Sequence, residues 1–373
     1  MSDQELLISV CYKAIGGIMD TQSLRNLLYT FLDWHPARIQ TFVGLILAVI
    51  KAKTVKIKEL AIYIDSKGNL HAKIIKIERL FLKQNISFID IGKIILKLLG
   101  GTGKIKLAID RTNWQFGKSN LNFFVAAIVY GNISIPIACL MLDKKGNSST
   151  TERKKLIEQI LAIIPKDMIE VILADREFVG EEWLKYLFKE SIPFAIRMKK
   201  SEQIRHPNGG KMKLGRYFAG MQVGENKTLE SKIYNGIAIK ITCLQLEKDQ
   251  VFIASNVIIG NDALLAYKQR WSIERSFKAL KTSGFNLEDT HMTDLTKLEK
   301  LFAVVSLSLA ICVIAGDIKN KIIPIVIKKH GRKLYSLFTY GFDWLKDYFC
   351  NTKNHLLAEL FRVLVSQFTL AAQ

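Results

Sequence analysis

Four polar residues in the last third of the chain stand at a spacing that suits chemistry. Tyr267, Arg270, Glu274 and Lys281 are offset by 0, 3, 7 and 14 residues, which at about 100° per residue puts them near 0°, −60°, −20° and −40° around a helix. One narrow stripe would carry all four. Ile273, Phe277 and Leu280 fall beside it, so an apolar flank can pack the helix while the polar stripe lines a cleft. A carboxylate flanked by two cations and a phenol is suited to holding a metal next to phosphates. A surface ion pair at i, i+4 would account for Arg270 and Glu274 but leaves the alignment of Tyr267 and Lys281 to chance.

Two more carboxylates close apolar strand-like runs: Asp110 after Lys106-Leu107-Ala108-Ile109, and Asp175 after Val171-Ile172-Leu173-Ala174. A rigid strand aims such a side chain out of the core, and the carboxyl ends of strands are where ligands and metals bind in α/β sheets. A single strand-terminal Asp is ordinarily a turn residue. Here there are two, each followed by an arginine, Arg111 and Arg176. Hard oxygen donors without His or Cys select Mg²⁺ or Mn²⁺ over zinc.

The elements that must position these groups can be read from periodicity. Residues 5 to 100 read as helices, and within them 55–64, a turn at Ser66-Lys67-Gly68-Asn69, and 70–82 resemble a helix-turn-helix. Its second helix would show Lys73, Lys76 and Arg79 on one flank, a spacing suited to DNA; an ordinary helical hairpin with a solvated basic face is the competing reading. From residue 104 the period changes to strands at 104–110, 122–130 and 133–142. Ser149 and Glu152 form a capping-box signature that opens a helix to about 164, before Pro165. A strand at 169–174, a helix at 181–189 and a strand at 193–198 follow. A basic loop leads to a hairpin, 228–234 and 237–246, turned by Asn235-Gly236, and to a strand at 251–255. Helices resume near 262.

Length and composition set the frame. The 373 residues carry a net charge of +20 and are 49% hydrophobic, a globular composition spread over two or three domains whose excess charge points to a polyanion. Residues 51–100 alone hold eleven Lys and Arg against four acids. Five scattered cysteines lack zinc-type spacing, which implies a reducing compartment without disulfides. No secretory signal is apparent at the N-terminus, and the apolar run 301–316 is short for a membrane span and reads as a buried core helix.

At the residues quoted first, the sequence resembles the DDE transposases of bacterial insertion sequences, specifically the insertion-sequence-four family. Tyr267-x2-Arg270-x3-Glu274-x6-Lys281 matches that family's signature with every spacing intact, and Asp110-Arg111-Thr112 and Asp175-Arg176-Glu177-Phe178 look like its two aspartate motifs. The resemblance covers about residues 100 to 315. It implies an α/β, RNase H-like catalytic core at 101–318 with a β-rich insertion at 199–256, a helical DNA-binding domain at 1–100 and a helical C-terminal region at 319–373. It further implies cut-and-paste transposition: metal-dependent cleavage at transposon ends and strand transfer into target DNA, with Asp110, Asp175 and Glu274 holding two Mg²⁺ ions, or Mn²⁺ as substitute. Tyr267, Arg270 and Lys281 would hold DNA. The partners would be double-stranded DNA, as terminal inverted repeats and as target, and a second copy in a homodimeric synaptic complex, in a bacterial cytoplasm at the nucleoid and away from membranes. One departure stands out. Relatives that excise through a DNA hairpin stack a flipped base on a Trp in the inserted region, yet no Trp lies between Trp183 and Trp271. Tyr217, Phe218 or Tyr234 could take its place, since any aromatic face stacks a base.

Two rival functions fit parts of the pattern. An RNase H-like nuclease such as a junction resolvase shares the carboxylates but gives no reason for the Tyr, Arg and Lys spacing. A DNA-binding regulator with a vestigial site leaves the intact triad unexplained.

Overall fold

The computed structural model describes residues 21–351, apart from 102, 118 and 207. The helices expected at 5–20 and beyond 351, and Cys11, lie outside the described residues. Among the described residues five helices come first: α1 (Thr21–Phe31), α2 (Pro36–Ala52), α3 (Ile57–Ile62), α4 (Leu70–Lys83) and α5 (Phe88–Leu98). Then follow β1 (Ile105–Phe116), β2 (Ser119–Tyr130), β3 (Ile133–Leu142), α6 (Thr150–Ile163), β4 (Ile169–Ala174), α7 (Glu181–Lys189) and β5 (Phe194–Met198). A small ribbon, β6 (Gln203–Arg205) and β7 (Lys211–Lys213), leads to β8 (Asn226–Tyr234), β9 (Ile237–Gln245) and β10 (Gln250–Ser255). The helices α8 (Gly260–Gln269), α9 (Ser272–Lys278), α10 (Leu295–Ile322) and α11 (Leu337–Asn351) complete the described chain.

The chain divides into two compact units: the first holds the described residues up to Gly101, Trp114–Leu121 and those from Ser276 on; the second holds Thr102–Asn113 and Asn122–Arg275. Helix α10 runs unbroken from Leu295 to Ile322.

In the first unit α10 is the core. Its residues Leu301 to Gly316 are all buried, as expected of a core helix, although its length and apolar composition would also suit a membrane span. It packs against α2, α5 and α11. Gly316 on α10 and Gly341 on α11 let the two backbones touch, because a Cβ on either would collide with backbone atoms of the other helix.

The second unit is built on an eight-stranded mixed sheet, in the order β3-β2-β1-β4-β5-β10-β9-β8. β1, β4 and β5 are parallel neighbours at its centre. Leu107, Ala108 and Ile109 are buried in succession, the near-continuous apolar run of a strand covered on both faces. The β-rich segment expected as an insertion continues this sheet through β10, β9 and β8. Asn235 (φ 49°) and Gly236 (φ 84°) turn the β8–β9 hairpin, both with the positive φ of a type I′ turn. Ser149 caps α6 as its sequence predicts: its hydroxyl accepts from the Glu152 amide at 3.3 Å, and the Glu152 carboxylate accepts from the Ser149 amide at 2.6 Å.

Candidate active site

The sheet register sets two carboxylates side by side. Ile109 on β1 pairs with Ala174 on β4, so Asp110 and Asp175 are the next residues along two adjacent parallel strands. Asp175 directly follows the end of β4, whereas β1 continues past Asp110 to Phe116, longer than the apolar run alone predicts. Each aspartate accepts the amide of the arginine that follows it, Arg111 at 2.8 Å and Arg176 at 2.7 Å.

Helix α8 delivers the third group. Its Ala263, Ala266 and Tyr267 pack with Val171, Leu173, Ala195 and Ile253 of the sheet in one buried cluster. The two alanines let the helix lie close, and the ring of Tyr267 then reaches the strand ends, where its hydroxyl donates to Asp175 Oδ1 at 3.2 Å. Burial pushes the Tyr267 phenol up to about 12 against the lowering charge of Arg270, with Asp175 adding to the rise, so it is a neutral donor.

The helix does not continue from here in one piece, which corrects the single stripe expected at 100° per residue. The amide of Arg270 donates to Tyr267 O and that of Ile273 to Arg270 O, both three residues back, while the Ser272 hydroxyl takes the Gln269 carbonyl at 2.6 Å. A tighter turn and a hydroxyl competing for a backbone carbonyl separate α8 from α9 without Gly or Pro. The helix that follows changes again to a π-turn at Ala279–Ser283.

Arg270 is the hub. Only 4% of its side chain is exposed, and its guanidinium donates through Nη1 to Asp110 Oδ2 at 3.0 Å and through Nη2 to Glu274 Oε1 at 2.8 Å. It also lies over the rings of Tyr267 and Trp271. Burial works against the charge of this guanidinium, but Tyr267, Asp110, the hydrogen bond to Glu274 and Asp175 outweigh it and hold the group in its charged form. Asp110 is pushed up to about 6, chiefly by burial; Arg270 and the Arg111 amide lower it, and Glu177 and Glu274 raise it.

A second network, which sequence reasoning missed, joins the two aspartate motifs. Arg111 clasps Glu177 with two parallel bonds, Nε to Oε1 at 2.7 Å and Nη2 to Oε2 at 2.8 Å. Arg153, buried on α6, donates to the Glu177 carbonyl at 2.9 Å. The only sequence signal was the arginine after each aspartate. Fork-to-fork geometry of this kind fixes orientation as well as energy.

Lys281 belongs to the first unit, where its ammonium pairs with Glu288 at 2.7 Å and lies over the Trp114 ring. Lys73, Lys76 and Arg79 lie on α4 in that same unit. Of the three aromatic candidates for base stacking, Phe218 and Tyr234 are buried, and the Tyr234 hydroxyl is bound to Glu202. Neither ring is open to a base, so only the half-exposed Tyr217, with Lys232 over its ring, retains that option.

The chemistry of the donors suits a divalent cation, with three carboxylates acting on one cationic group and no His or Cys among them. In this arrangement, among the described residues, no three acidic, His or Cys side chains stand close enough to hold one metal together. Arg270 bridges Asp110 and Glu274 instead.

A mixed sheet with adjacent carboxylates at its parallel strand ends is consistent with an RNase H-like nuclease fold. Residues 101–311 match the family model described as "Transposase DDE domain", which spans more than half of the chain, and the protein belongs to that family. No curated protein matches the chain. Among solved structures, the endonuclease V of Bacillus subtilis is similar at 11% identity and a TM-score of 0.28, over 52% of this chain and 90% of that one. At that score the likeness says nothing further about this chain.

Proposed function

We propose that the protein is a cut-and-paste transposase of the insertion-sequence-four type, which cleaves DNA at transposon ends and transfers the strand to a target. The observation that carries this reading is the register Ile109↔Ala174, which sets Asp110 beside Asp175 with Arg270 and Glu274 against them. Asp110, Asp175 and Glu274 are the proposed metal ligands. Two bound Mg²⁺ ions, or Mn²⁺ in their place, would supply activation of the attacking hydroxyl and neutralisation of charge at phosphorus.

The chain's own groups do the rest. The strands hold Asp110 and Asp175 rigidly, and the Arg111–Glu177 clasp fixes the turns after them. Tyr267, neutral and donating, orients Asp175. Arg270 neutralises the carboxylates, and with a cation bound among them its guanidinium would be available to a DNA phosphate. Lys281 is assigned to DNA, as are Lys73, Lys76 and Arg79. The helical segment before residue 101 is the proposed DNA-binding domain, 101–318 the catalytic domain and 319–373 a helical C-terminal region; a homodimer would form the synaptic complex.

The test is nicking of supercoiled plasmid, and cleavage of a linear duplex against a four-way junction, by the purified protein in Mg²⁺ and in EDTA. Metal-dependent cleavage that Asp110→Ala, Asp175→Ala and Glu274→Ala each abolish, with duplex binding retained, is expected. Near wild-type cleavage by any of the three overturns the triad, a preference for junctions selects a resolvase, and no cleavage by the wild-type chain selects a regulator.

A further inference from the structure

A groove of about 470 Å³ opens between α2 and α4 in the first unit. Arg38 of α2, Lys67 of the turn before α4, and Lys76, Arg79 and Lys83 of α4 all line it, and no acidic side chain does. Some basic residues outside it are paired with acids, as in Lys154–Glu182 and Lys185–Glu181. Arg38 is steadied by a neutral group: with its carboxamide oxygen turned toward the guanidinium, buried Gln84 accepts from Nε at 3.2 Å and Nη1 at 3.0 Å. A carboxamide brings no counter-charge to this contact.

Like charges gathered around one cavity repel, and an anion relieves that repulsion. The shape speaks against a small one. Lys76 and Lys83 are about 10 Å apart along the helix axis at 1.5 Å per residue, which suits successive phosphates of a strand better than one ion. We infer that this groove seats the sugar-phosphate backbone of duplex DNA, with Arg38, Lys67 and Lys83 as contacts that add to Lys76 and Arg79. The inference rests on the DNA-binding reading above and deepens it: Lys73 lies outside the groove walls, and residues of a second helix enter.

Backbone contacts are read from salt dependence. Each phosphate neutralised contributes a slope of about −0.9 in log K against log salt, so removing one such cation shrinks the ratio of affinities at about 50 and 200 mM salt by about 3.5-fold. The experiment titrates a fluorescein-labelled random-sequence duplex with the full chain, with R38Q/K67Q/K83Q, and with a charge-matched control, K328Q/K329Q/R332Q, whose side chains are exposed outside the groove. The groove variant should bind more weakly with a slope reduced by up to about 2.7, while the control keeps the wild-type slope. An unchanged slope in the groove variant, or an equal fall in the control, overturns the groove. A wild-type chain that binds no duplex overturns the DNA reading itself, a distinguishable result. Lysine acetylation of the wild-type protein gives a second reading without mutation: duplex should shield Lys67, Lys76 and Lys83 but not Lys328. Equal shielding by inorganic phosphate would make the groove a small-anion seat, against the inference.

Discussion

Asp110→Asn should make the protein more stable while abolishing cleavage, and the gain should depend on pH. The carboxyl of Asp110 rises from 3.8 to about 6 on folding, because burial outweighs the attraction of Arg270. A raised folded value means that the protonated form is favoured in the fold; this contribution is fully present below about 3.8 and is lost as pH rises through about 6. At about 1.36 kcal/mol per pH unit, the ionised carboxylate costs up to about 3 kcal/mol at pH 8 and roughly half of that at pH 5. Asn mimics the protonated carboxyl. The stability difference between variant and wild type, from urea unfolding in EDTA, should therefore be about twice as large at pH 8 as at pH 5. Added Mg²⁺ should narrow it at pH 8, because a cation favours the ionised wild-type group that Asn cannot replace. A variant no more stable than wild type at pH 8, or a gap equal at both pH values, would refute the claim that burial dominates this carboxylate.

Three other outcomes are expected. Arg270→Ala leaves Asp110 and Glu274 facing each other without their shared cation, and should cost somewhat less than the roughly 3–5 kcal/mol of a fully buried pair, because Glu274 is 41% exposed; Mg²⁺ should restore part of the melting temperature but not cleavage. Glu177→Gln replaces the doubly bonded carboxylate of Arg111 with a neutral amide and should lower stability by about 2 kcal/mol, with cleavage reduced and duplex affinity unchanged in a binding titration. Ser149→Ala removes the cap of α6 and should cost about 1 kcal/mol in urea unfolding, leaving cleavage intact at a temperature where the variant is folded.

Much of the second unit was legible because its signals are local. The strand at 169–174 and the helix at 181–189 have the bounds expected of them, since an uninterrupted apolar run and a short amphipathic stretch each identify themselves. Asp110 and Asp175 could be picked out, but their adjacency depends on which strands pair, and that is fixed by the register of β1 on β4. The extension of β1 was hidden because Arg111 to Phe116 mixes polar and aromatic residues without a clean alternation. The break at Arg270 carries no Gly or Pro; it comes from the Ser272 hydroxyl claiming a carbonyl. Nothing in the sequence joins Arg38 to Lys83, because their meeting depends on how two helices pack.

The burial of α10 bears on what becomes of damaged gene copies. This helix is synthesised late, and part of what covers it, α2 and α5, lies in the first hundred residues. A reading frame that begins downstream of them would produce a fragment whose most apolar stretch has lost its shelter. Such a product would aggregate or be taken by the membrane-insertion machinery as a span. It would not survive as a folded protein, so 5′ truncation of this gene should silence it outright.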